Sequence, residues 1–134
     1  MNILVMDAQG GGIGKQVVTA VRTRFPDVTI TAVGTNAAAT TAMLRAGADE
    51  GATGENAVIC NVKHADVVAG PIGMMVANSL WGEITPAMAS AVSESPAQKV
   101  LIPVEQCHVH VAGVVEKPMS RYIEDAVAVI RSCQ

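Results

Sequence analysis

Residues 7–15 read DAQGGGIGK, four glycines in nine positions. The apolar run Ile3, Leu4, Val5, Met6 precedes them and QVVTAVRTRF comes after. That succession reads as a buried strand, a glycine loop and a helix. Glycines let backbone N–H groups come close to a ligand, and the helix start adds the positive end of its dipole. The chemistry on offer is anion binding, with phosphate the natural guest. Gln9, Gly10, Gly11, Gly12, Ile13, Gly14 and Lys15 are the candidate cradle. The loop nevertheless misses three known patterns by one or two residues. A dinucleotide fingerprint G-x-G-x-x-G ending at Gly14 needs glycine at position 9, where Gln9 stands. The Gly-Ile-Gly ending of short-chain dehydrogenases is met by Gly12, Ile13 and Gly14, but its first glycine falls on Ala8. A Walker loop needs glycine at 9 and a hydroxyl residue after the lysine, where Gln9 and Gln16 stand. The plain alternative is a tight strand-to-helix turn. Lys15 either reaches phosphate as a point charge or lies solvated on the first helical turn.

Two carboxylates are candidates for catalysis. Asp7 ends the first strand beside the loop, where it could hold a metal, act as a base, or fasten the loop by accepting its N–H groups. The last of these is preferred. Glu83 precedes its helix in GEIT, so helix-dipole stabilisation does not account for it as it does for Glu55 in TGEN. Glu83 is the first candidate general base and Asp7 the second. Dinucleotide folds usually place an acidic residue after the second strand for the ribose hydroxyls; this chain has Gly34, Thr35 and Asn36 there. Thr35, Asn36, Thr53, Gly54, Asn56 and Asn78 are the candidate hydrogen-bonding and loop residues for the rest of a ligand. His108 and His110, two apart on an expected strand, share a face, and Cys107 or Glu105 could complete a zinc site. With no second ligand cluster at zinc spacing, no metal is expected.

The elements that must position these residues alternate. Strands are expected at Ile3–Met6, Val28–Val33, residues 48–53, Asp66–Gly70 and residues 99–104. A sixth, HVHVAGVV, comes after the short EQC connection and is expected to pair antiparallel. Helices are expected after the glycine loop, over AAATTAMLRA with Thr35 or Asn36 as cap, over GENAVICNVKHA capped by Thr53, and after Thr85 with Pro86 at its first position. A last helix begins after Pro118. Alternating strands and helices imply one three-layer α/β domain over residues 1–134, Rossmann-like and mostly parallel, with sheet order 3-2-1-4-5-6 and the antiparallel strand at the edge. In such a sheet the loops after the parallel strands lie along one edge. DAQGGGIGK, GTN, GATGEN, GPIG and the long connection NSLWGEITP would meet there, and their convergence says more than any one of them.

Composition narrows the partners. Half the residues are hydrophobic, the formal net charge is -3, and there is one Phe, one Trp and one Tyr. A nucleic-acid binder usually carries a basic face and stacking aromatics, so that class is set aside. The longest apolar run, Val67–Ala77, contains Gly and Pro and is too short for a membrane span. Three cysteines without clip spacing read as reduced thiols of a soluble cytoplasmic protein. The apolar surplus suggests a homo-oligomer, with Met74, Met75 and Trp81 as contact residues before core or a mobile cover.

The sequence AQGGGIG, succeeded in order by GTNA, GATGENA, GPIG and GEITPAMA, resembles a bacterial family of about this length known only as a domain of unknown function. The resemblance spans nearly the whole chain, with Ala8 where glycine is expected. It implies that the motifs belong together and a Rossmann-like fold; it supplies no reaction. The functional expectation is binding of a nucleotide, NAD(P) among those possible, or another phosphorylated small molecule at the carboxyl edge. The alternatives are a non-catalytic oligomeric sensor using the same pocket and a structural subunit whose glycine turns only shape the fold.

Overall fold

The computed structural model describes residues 1–104 and 108–134. Strand β1 (Asn2–Asp7) leads into helix α1 (Gly12–Arg24), β2 (Thr29–Gly34) into α2 (Ala37–Arg45), and β3 (Glu50–Thr53) into α3 (Glu55–Asn61). After strand β4 (Val67–Pro71) come a 3-10 turn (Ile72–Met75), helix α4 (Pro86–Glu94), β5 (Gln98–Ile102) and α5 (Met119–Ser132). Among the described residues all four strand pairings are parallel, in the order β3-β2-β1-β4-β5.

Alternation along the central strand builds two cores. Ile3 and Val5 join Val17, Val18 and Val21 of α1, Met43 of α2, and Ile123, Val127 and Ile130 of α5. Leu4 and Met6 face the other way and join Val58 of α3 and Met88 and Val92 of α4. Successive strand residues point to opposite faces, so a continuous apolar strand needs both faces covered. That is the three-layer arrangement expected from the sequence.

Side-chain caps set the starts of α2 and α4. The Asn36 side chain accepts from Ala39 N at 2.9 Å, and Thr85 accepts from Met88 N at 3.1 Å with Pro86 first in the helix. Asn36, not Thr35, is therefore the cap of α2. Helix α3 departs from expectation. Its cap is Gly54, at φ 104 with no side-chain cap bond, because Thr53 still belongs to β3. It ends at Asn61, short of the expected Ala65.

The expected antiparallel sixth strand is not seen. Residues 108–115 form no ladder, and positive φ at His108 (61) and Gly113 (87) breaks an extended path. Val111, Val114 and Val115 stay exposed there, so the β-branched pattern has no surface to pack on. Cys107 and Glu105 lie outside the described residues.

At the amino edge of the sheet, Arg22 of α1 closes the structure. Its guanidinium donates to the carbonyls of Gly47, Pro26 and Val28 and pairs with Asp49 at 2.6 Å. Asp49 also accepts from Ile30 N at 2.8 Å.

Strands β1 and β4 meet closely at Gly70. A Cβ there would collide with the Met6 carbonyl oxygen and lie 2.9 Å from Met74 Sδ. The first obstacle is backbone, which no rotamer change relieves. Gly70→Ala is expected to lower stability by about 1–3 kcal/mol, read as a lower urea midpoint at unchanged slope.

Candidate functional site

Because the strands are parallel, Asp7, Gly34, Thr53 and Pro71 end on one edge. Backbone bonds stitch the neighbouring loops there: Thr35 N donates to Asp7 O at 3.1 Å and Gly54 N to Gly34 O at 2.9 Å.

Asp7 is buried, and both its oxygens are engaged. Oδ1 accepts from Ala8 N at 2.8 Å and Oδ2 from Gly14 N at 2.6 Å. Burial pushes its pKa above the ordinary carboxylate value, and the charge of Glu83 adds to the rise. Backbone N–H groups of Gly14, Ala8 and Ile13 oppose it. The loop is thus wrapped around Asp7, and its glycines divide into two kinds. A Cβ at Gly14 would meet Met43 Sδ at 2.6 Å and Asp7 Cβ at 2.8 Å. Gly11 takes φ 72, and a Cβ there would meet Ala39 backbone at 3.0 Å. These two glycines serve packing. Gly10 and Gly12 face open space and are exposed. Their N–H groups donate to no atom among the described residues. Both line a cavity of about 290 Å³ with Asp7, Gln9, Ile13 and Leu80.

Glu83 gathers the first two loops. Its Oε1 accepts from Gln9 N at 2.9 Å, Thr35 Oγ1 at 2.7 Å and Asn36 Nδ2 at 2.8 Å. Asn36 Nδ2 also donates to Gln9 O at 2.9 Å. Desolvation pushes the Glu83 pKa up, but the bonds from Gln9, Thr35 and Asn36 together outweigh it and hold the carboxyl below the usual range. A carboxylate so engaged is a weak base, and the arrangement is that of a clamp.

Glu83 closes a loop whose backbone is strained. Asn78, Leu80 and Trp81 all have positive φ, 65, 55 and 59. Asn78 N donates to Ile84 O at 2.7 Å and Ser79 Oγ to Gly73 O at 2.5 Å, which pins the base of the loop. A second cavity, of about 590 Å³, lies over it, lined among others by Gln9, Asn78, Leu80, Trp81 and His108. The two cavities share Gln9 and Leu80.

Residues 2–134 match the family described as a domain of unknown function, DUF3842. The chain belongs to this family. No curated protein sequence matches it. Among solved structures the chain is similar to a dodecameric FMN-dependent UbiX-like decarboxylase from Escherichia coli O157:H7. The identity is 18%, over 99% of this chain and 76% of that one, with a TM-score of 0.49. It is also similar to saccharopine dehydrogenase (L-Glu forming) from Saccharomyces cerevisiae. Here the identity is 16%, over 93% of this chain and 24% of that one, with a TM-score of 0.49.

Of the residues singled out from sequence, Gln9, Gly10, Gly12, Ile13 and Asn78 line the two cavities, as does Asp7. Lys15 does not. It lines a groove between α1 and α5, with Thr19 and Ile123, because one turn of helix carries it away from the loop. Thr35 and Asn36 serve Glu83, and Thr53 Oγ1 lies 2.7 Å from Thr40 Oγ1. Asn56 is exposed on α3 and faces Cys60. Met74 is fully buried in the α3–α4 core, which removes it as an oligomer contact. His108 and His110 share no strand face, since no strand forms there, and among the described residues no three metal-ligating side chains cluster. Sequence reasoning missed Pro71, Ser79, Leu80 and His108 as cavity walls. GPIG pointed at Pro71 and NSLWGEITP at the stretch that carries Ser79 and Leu80; which of its side chains reach the cavities depends on the path of the long connection.

The two carboxylates respond to acid in opposite senses. Glu83, with its pKa lowered from 4.5, contributes stability above that value and loses it as pH falls through the folded value. Asp7, raised from 3.8, contributes below that value and loses the contribution as pH rises through its folded value. Glu83→Gln is expected to cost about 1 kcal/mol at neutral pH. The gap to wild type should narrow below pH 4.5 in urea titrations, and a gap independent of pH would show that the charge is not what ties the loops.

Proposed function

We propose that the protein binds a nucleotide or another phosphorylated small molecule at the carboxyl edge of its sheet. The observation that carries this reading is the pair of N–H groups on Gly10 and Gly12, without an acceptor among the described residues and bare of side chains, over a cavity at the start of α1. Such groups at a helix N-terminus suit an anion. Asp7 consumes the N–H of Gly14 and leaves these two for a ligand. In this reading Asp7 and Glu83 position the loops, and no reaction is assigned to them. Among the described residues no helix is long and apolar enough to cross a membrane; a cytoplasmic location is part of the proposal.

A thermal-shift panel of NAD(H), NADP(H), ATP, GTP, flavin mononucleotide and coenzyme A tests the reading. A ligand at a hundred times its Kd stabilises the fold by about 2.7 kcal/mol. Gly12→Asp separates binding from folding. A Cβ at Gly12 meets nothing within 4 Å, and an acid in the first helical turn is favourable by about 0.3–1 kcal/mol. The variant is expected to fold as well as wild type and to lose the ligand shift. An unchanged shift in Gly12→Asp would place the ligand elsewhere.

A homo-oligomer is proposed as well, on the open edge of β5 and the exposed Val111, Val114 and Val115 near it. Sedimentation velocity at rising concentration is expected to give a mass above one chain; a monomer throughout the range would refute it.

A further inference from the structure

Trp81 is the chain's single tryptophan, and it is 97% exposed. An indole is among the side chains with most to gain from burial. Here it is held in water on a backbone that disfavours it. Leu80 and Trp81 both sit in the left-handed region, a conformation that persists only where the surroundings over-determine it. The surroundings do so. Leu80 is buried in the α3–α4 core. Gly82 N donates to Ser79 O at 3.1 Å and Ile84 N to Ser79 O at 3.3 Å, and Glu83 ties the end of the loop to Gln9. The ring is therefore presented to solvent, and Trp81 is among the residues that line the larger cavity, in company with Gln9, Asn78, Ser79 and His108. That cavity adjoins the smaller one, where Gly10 and Gly12 offer their N–H groups.

We propose that Trp81 is a stacking wall for a planar heteroaromatic ring of the ligand whose phosphate lies on the glycine loop. The ligand class is then a nucleotide rather than a sugar phosphate. This rests on the phosphate reading given under Proposed function. The smaller cavity takes the charged end and the larger one the ring. The polar side chains of Gln9, Asn78 and His108 are at hand for the ring edge, while the indole supplies a face that every base can use.

The test compares AMP, GMP and NADH with ribose 5-phosphate on the full chain, by calorimetry for all proteins and by tryptophan emission for wild type. At least one nucleotide is expected to bind about tenfold more tightly than ribose 5-phosphate and to quench the emission. Trp81→Ala should bring that nucleotide to the level of ribose 5-phosphate, and Trp81→Phe should keep most of the preference. The side chain is exposed, so circular dichroism should report an unchanged fold in both. Equal binding of nucleotides and ribose 5-phosphate by wild type would overturn the stacking role while leaving the phosphate site in place. So would a preference that survives Trp81→Ala, including the case in which that variant only lowers the sedimentation coefficient. If none of the four compounds binds, the phosphate reading falls and the stacking role with it.

Discussion

Asp7 ends the central strand inside the core, with one oxygen on Ala8 N and the other on Gly14 N. A buried carboxylate is tolerated when its lone pairs are met by donors, and here the donors are the backbone of the next turn. That requirement dictates the course of the loop. The chain must fold back on itself between Asp7 and Gly14. Gly14 must lack a side chain to lie against Asp7, and Gly11 must turn left-handed to start α1 against α2. Once those two glycines are committed inward, Gly10 and Gly12 are left facing out. The open face of the loop is thus the by-product of a packing solution that begins at one aspartate.

Glu83 extends the same logic over a long distance. It comes from the connection after β4, yet its Oε1 meets the backbone of the first loop and two side chains of the second. The two carboxylates sense each other electrostatically, and their environments push them apart: burial raises one, hydrogen bonds lower the other. The long connection is held at the edge by this contact as well as by its own turn bonds.

Features written in short-range chemistry were legible in the sequence. Asn36 and Thr85 cap helices through side-chain oxygens three residues before the N–H they serve, and Pro86 marks the helix start. The parallel order of the first five strands was implied by alternation and handedness. Other features needed the third dimension. HVHVAGVV has the composition of a strand, but a strand needs a ladder and a surface, and that segment finds neither. Lys15 adjoins the glycine loop in sequence but turns toward α5 in space. The meeting of Glu83 with Gln9, 74 positions apart, has no local signal, and neither do the left-handed turns that present Trp81. The parallel strands do deliver their loops to one edge, and GTN joins the first loop through Glu83, while Thr53 and Asn56 line neither of the two cavities.

The opposite end of the sheet is closed in another manner. One guanidinium there takes three carbonyls and a carboxylate from separate turns, a geometry that a lysine cannot reproduce. The carboxyl edge keeps two N–H groups that donate to nothing among the described residues, along with strained turns and a solvated indole. Local opening in a fold is drawn to regions with few buried contacts and open hydrogen bonds. The rim with solvated turns is therefore where local opening would begin, with the guanidinium-locked end as the anchor that holds the register of the sheet.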